Sequence, residues 1–155
     1  MFLALLLPAL IFVFLKYAGK NEFNIPVYFD QGVEKVPGGC DRSYPAPYLL
    51  DEDNWVGQAR TQANVVVFPD AGIDFSRMEA ALSDEFGGDV TFEEGCNVAD
   101  SSSCDELRRC TFILERPNQA VLFERSGSIR GYYDLHKRDE FDRLRVELKI
   151  LLKKY

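Results

Sequence analysis

From Phe2 to Leu15 the chain carries no charged or hydrogen-bonding side chain, and Leu, Ile, Val and Phe dominate the run until Lys16 ends it. Extended through Tyr17, Ala18 and Gly19, it supplies about 18 residues, or roughly 27 Å of helix at about 1.5 Å per residue, enough for a thin hydrocarbon layer. Pro8 is tolerable in such a helix. A secretory leader fits less well, since nothing basic precedes the run and "KYAGKNEF" is a poor cleavage site. A core helix fits less well too, because a globular domain rarely places a helix apolar all round at its extreme end. Residues 1–19 are therefore expected to form a transmembrane anchor.

Residues 20–61 change character. Pro26, Pro37, Pro45 and Pro47, with Gly38-Gly39, disfavour regular helix and read as an extended arm. Ile25, Val27 and Phe29 alternate with other residues, which predicts a short edge strand. The compact part, 62–155, begins with "NVVVF", a β-branched run ending at Pro69-Asp70 and patterned like a central strand buried on both faces. "DFSRMEAALSDEF" then sets Phe75, Met78, Leu82 and Phe86 at helical spacing, with Asp74 or Ser76 as cap and Gly87-Gly88 as stop. "DVTFEE" predicts a second strand, and a polar loop leads into about two turns of helix from Ser103. "QAVLFE" and "SIRGYYD", joined at Arg125-Ser126-Gly127, form a predicted hairpin. Phe141, Leu144, Leu148 and Leu151 mark the buried stripe of a last helix, whose Lys149, Lys153 and Lys154 suit its C-terminal dipole.

The order from Gln62 is strand, helix, strand, helix, strand, strand, helix. Its first unit is most simply parallel and its hairpin antiparallel, so the expected class is α/β, a thioredoxin-like sheet with flanking helices. The 155 residues and 46% hydrophobic content allow one domain plus an appendage. The net charge of −7 gives a nucleic-acid role little electrostatic support.

Four cysteines, Cys40, Cys96, Cys104 and Cys110, occur without any C-x-x-C spacing, and His136, the sole histidine, sits far along the chain. A zinc site is not indicated. Structural disulfides outside the cytoplasm are the favoured reading, against buried, unpaired thiols. Cys96 and Cys104 bracket "NVADSSS" and can close a local bridge, which leaves Cys40 as a partner for Cys110. Other connectivities stay open at this level. Lys16 and Lys20 by themselves would place the following domain inside, an orientation that the cysteines oppose.

The ending "VLFERSGSIRGYYD", its amphipathic helix, and the start "GKNEFNIPVYF" resemble the Sco/SenC family of membrane-anchored, thioredoxin-like proteins of copper delivery and thiol chemistry in cytochrome c oxidase maturation. The resemblance covers nearly the whole chain. It implies a C-x-x-x-C motif immediately after the first core strand and a histidine ahead of the hairpin, a thiolate and imidazole set suited to Cu(I). Here the matching stretches read "FPDAGIDFSRM" and "ERPNQAVLF", with neither cysteine nor histidine. Pro117 falls near the place where thioredoxin folds keep a proline beside the active-site loop, and it reads equally as a loop breaker.

The remaining candidates are weaker. Arg108 and Arg109 immediately precede Cys110 and could depress a thiol pKa. His136 is expected to be exposed and solvated rather than a general base. Asp51, Glu52 and Asp53 could hold a divalent cation but read as a solvated cluster. Tyr44, Tyr48 and Trp55 are expected to pack the arm onto the domain. No catalytic residue, metal ligand or cofactor is expected. The reading is a non-catalytic accessory or structural subunit in the inner membrane of a bacterium, its domain in the periplasm. The resemblance implies a respiratory partner such as cytochrome c oxidase or its assembly machinery. Two alternatives stand beside it: an active thiol-disulfide or copper-handling protein using Cys96, Cys104 and Cys110, and a ligand-binding module with Ala71 to Ser76 in its pocket.

Overall fold

The computed structural model describes residues 24–50, 61–96 and 101–153. The expected anchor, Asp51 to Asp53, Trp55 and Lys154 lie outside these. Among the described residues no helix is long and apolar enough to cross a membrane.

Three successive valines leave little χ1 freedom in a helix and pack well on a pleated surface, and they lie in strand β1, Ala63–Val67. Helix α1, Phe75–Phe86, follows; the Asp74 side chain caps it by accepting from the Arg77 N–H, and Gly87 at φ +62° stops it. Strand β2, Val90–Glu94, lies parallel to β1, Ala63 facing Val90. Helix α2, Ser101–Glu106, begins two residues before the expected Ser103 and continues as a π-helical turn, Leu107–Thr111. Strands β3, Ala120–Glu124, and β4, Ile129–Tyr133, make the hairpin, and helix α3, Arg138–Leu151, closes the element order.

The sheet order is β2-β1-β3-β4, with both β1–β3 and β3–β4 antiparallel. This is a mixed α/β fold with a four-stranded mixed sheet and flanking helices. β1 is central, so its alternate residues feed two cores. Ala63, Val65 and Val67 join Leu82 and Phe86 of α1 and Leu144 and Leu148 of α3. Val66 points the other way with Phe68, toward Phe112, Leu114, Tyr48 and Leu50. The stripe on α3 runs one residue farther than expected, with Leu152 buried at its end and Leu151 only partly covered. Lys149 reaches sideways rather than to the helix terminus: with Arg145 it grips Glu85 of α1, each at 2.7 Å.

The arm is part of this architecture. Ile25, Tyr48 and Leu50 are buried, and Tyr48 donates from its hydroxyl to the Thr111 carbonyl at 2.7 Å. The edge strand predicted from Ile25, Val27 and Phe29 is absent; residues 28–31 turn instead, and Phe29 sits at φ +59°. Pro26 has no N–H to give a ladder, and the Phe29 ring turns in to pack on the second core. One strand-like bond survives, from the Tyr28 N–H to the Ile129 carbonyl at 2.9 Å. Farther along, the Leu50 N–H donates to the Gly127 carbonyl at 3.0 Å, so backbone hydrogen bonds join the described arm to the hairpin at two places, and Tyr28 and Phe29 pack against Tyr132 as well.

Candidate functional site

β1 and β4 run in the same direction, since each is antiparallel to β3. Their C-terminal ends therefore share one end of the sheet, the end where the Sco/SenC resemblance calls for cysteines. There the chain leaves β1 through Phe68, whose N–H donates to the Gln119 carbonyl at 2.7 Å, and turns at Pro69-Asp70. The Ile73 N–H closes that turn on the Asp70 carbonyl at 3.2 Å, with Gly72 at φ +100°. No thiol lies in this turn.

The turn carries a carboxylate held by two partners. Asp70 Oδ1 lies 2.7 Å from His136 Nε2, and Asp70 Oδ2 accepts from Gln119 Nε2 at 3.3 Å. Gln119 is buried, and its Oε1 accepts the Leu135 N–H at 2.9 Å, so one amide joins the turn after β1 to the turn after β4. His136 is exposed, as expected, with 43% of its side chain accessible, and its ring is also tied to Asp70 across the end of the sheet. Beneath them Arg108 donates to the Asn118 carbonyl at 2.8 Å. Burial, then the nearby charge of Arg116, lowers the Arg108 pKa, while Asp105 and Asp70 pull it back up. Pro117, joined to Arg116 by a cis peptide bond, lies in the adjoining turn.

A carboxylate-oriented imidazole is one half of a general-base arrangement. The other half is missing among the described residues, where no hydroxyl or thiol is bonded to the His136 ring. Those residues also hold no group of three or more His, Cys, Asp or Glu side chains placed to bind a metal ion.

The cysteines lie on the other face of the sheet. Cys40 is bridged to Cys110 and Cys96 to Cys104, and no free cysteine remains. Arg108 and Arg109 therefore do not activate a thiol at Cys110, which is buried in its disulfide. Arg109 instead pairs with Asp105 at 2.9 Å and donates to the Gly38 carbonyl at 3.2 Å. Arg42 donates to Thr111 Oγ1 at 2.6 Å, and the Tyr44 hydroxyl to the Cys110 carbonyl at 2.9 Å, with burial raising the Tyr44 pKa. The second bridge closes the loop between β2 and α2. Both bridges end on the same helical stretch, Ser101 to Thr111.

Asp70, Gln119 and His136 were not grouped by sequence reasoning. A signal existed: Asp70 and His136 each stand three residues beyond the last residue of parallel-running strands, Val67 and Tyr133. The strand directions had to be known before that spacing carried meaning. No family model, curated protein or solved structure matches the chain.

Proposed function

We propose that the chain is a non-catalytic, Sco-like accessory or structural subunit, held by residues 1–19 in a bacterial inner membrane with its domain in the periplasm. It works through contacts with a respiratory complex such as cytochrome c oxidase or its assembly machinery. The observation that carries this reading is the chemistry at the end of β1: the position where this scaffold would hold its thiols holds an Asp70–His136 pair instead. All four cysteines are spent in bridges elsewhere. The strand order, with β1 parallel to β2 and antiparallel to β3, supports a thioredoxin-like sheet. Two disulfides favour an oxidising compartment. The respiratory partner rests on the sequence resemblance, and fold alone does not fix function.

The test is purification from the native membrane in mild detergent, free thiols blocked beforehand, with stoichiometric partners identified by mass spectrometry. Respiratory subunits in constant ratio, with no blocked cysteine, are the expected outcome. A solitary protein with labelled Cys96, Cys104 or Cys110 would overturn the reading in favour of thiol or copper chemistry.

A further inference from the structure

Beside the Asp70–His136 pair, an open cleft of about 570 Å³ runs between the first turns of α1 and α3. Its floor is apolar, from Met78 on α1 to Leu135 just before α3 and Phe141 within it. Two guanidinium groups, Arg77 and Arg138, stand on its rim, with His136 and one carboxylate, Asp74, beside them. This is unusual on a chain of net charge −7. The cleft's own carboxylate, Asp74, accepts the Arg77 backbone N–H as the helix cap. Among the described residues neither the Arg77 nor the Arg138 guanidinium takes part in an ion pair or hydrogen bond, while Arg109, Arg143 and Arg145 are all paired.

We propose that this cleft is a docking site for a segment of a partner protein that sets an apolar side chain between α1 and α3 and a carboxylate against Arg77 and Arg138. This rests on the accessory reading above and names the surface through which it operates. Charge complementarity selects the occupant. The Arg77 and Arg138 guanidinium groups, without partners among the described residues, offer forked donors matched to carboxylate geometry, and the apolar floor gives a neighbouring side chain area to bury. A basic or uncharged segment satisfies only the floor.

The experiment is an NMR titration of the full-length, isotopically labelled protein in detergent with the peptide acetyl-Glu-Phe-Glu-Leu-amide, its glutamine counterpart acetyl-Gln-Phe-Gln-Leu-amide, and decanoate. The acidic peptide is expected to shift the amides of Gly72, Leu135 and Arg138. Affinity is expected to fall about tenfold for the glutamine peptide, and by a similar factor for an Arg77→Ala/Arg138→Ala variant, as two exposed ion pairs allow. Both replaced side chains are exposed, and thermal unfolding checks that the variant folds. Equal binding of both peptides, undiminished binding by the variant, or shifts confined to another surface would overturn the proposal. Decanoate binding as tightly as the acidic peptide would overturn the commitment to a protein segment. If the wild type co-purifies with respiratory subunits and the double variant does so equally, the cleft assignment fails and the accessory reading stands. If the acidic peptide binds in the cleft but the wild type co-purifies with nothing, the accessory reading fails alone.

Discussion

Replacing Cys40 by serine and Cys110 by alanine opens a bridge between residues 70 apart, whereas the Cys96–Cys104 bridge spans a separation of 8. In the chain-entropy model the long loop is worth about 4 kcal/mol and the short one about 2.5 kcal/mol at room temperature. For a chain of this size, each kcal/mol moves the melting temperature by about 2–4 °C, so Cys40→Ser/Cys110→Ala is expected to lower it by roughly 10–15 °C. Cys96→Ser/Cys104→Ala is expected to lower it by roughly 5–10 °C. Loss of packing at buried Cys110 adds to the first figure, because its neighbours Phe112 and Thr111 are also buried. Thermal unfolding followed by circular dichroism, in one detergent for all three proteins, reads both shifts, and equilibrium urea unfolding reads the corresponding free energies. Limited proteolysis of the arm supplies an independent measure of its docking. Equal losses, or a larger loss from the short bridge, would refute the view that the long bridge stabilises by restraining the unfolded chain. Retained protease resistance of residues 24–50 in the first variant would show that Tyr48 and Leu50 hold the arm without the bridge.

Gly127 sits at φ +88°, and a Cβ there would lie 2.1 Å from the Leu50 carbonyl oxygen, so Gly127→Ala is expected to cost about 2 kcal/mol or more in urea unfolding. Gly38→Ala, with nothing within 4 Å, serves as the near-neutral control. The Glu85 pKa is held below its ordinary value of 4.5 by the hydrogen bond from Lys149 and then that from Arg145. Its contribution is therefore present above that ordinary value and lost as pH falls through the lowered folded value. Glu85→Gln is expected to cost about 1 kcal/mol at neutral pH, after allowance for solvent screening, and to converge with wild type in acid. Gln119→Leu leaves the part-buried Leu135 N–H without its acceptor and frees one Asp70 oxygen, with an expected loss of about 1 kcal/mol. A changed His136 ring resonance in the NMR spectrum of that variant would report the loosened pair, and an unchanged one would show that Asp70 holds the ring alone.

The elements around both helices that flank the first core were legible because local signals agreed with tertiary demands. Asp74 and Gly87 bracket α1 as capping chemistry requires, and the valines of β1 announce a strand covered on both sides. The arm was harder. Its alternating Ile25, Val27 and Phe29 carry a strand pattern, but the backbone there answers to where the Phe29 ring can be buried, and that depends on Tyr48 and Tyr132. Lys149 was legible as a basic residue near a helix end, yet its partner Glu85 lies on another helix, which periodicity cannot reveal. The Asp70–Gln119–His136 association is of the same kind. Each residue is ordinary in its own stretch, and only the sheet order makes them neighbours. At that site the sequence itself shows only that no cysteine follows β1, where the Sco/SenC resemblance would place one.

The Cys40–Cys110 bridge also sets how the chain bears a load. Tension applied between the two chain ends reaches Cys40 and can cross directly through sulfur to Cys110, leaving the residues between them as a slack loop. That loop contains β1, α1 and β2, the middle of the sheet and one of its edges. A pull between the N- and C-terminal ends therefore falls first on the arm, on the chain after Cys110, and on the β3–β4 hairpin. The central strand stays out of the line of force for as long as the bridge is intact. Reduction reroutes the same pull through β1, so oxidation fixes the mechanical path through the molecule as well as its fold.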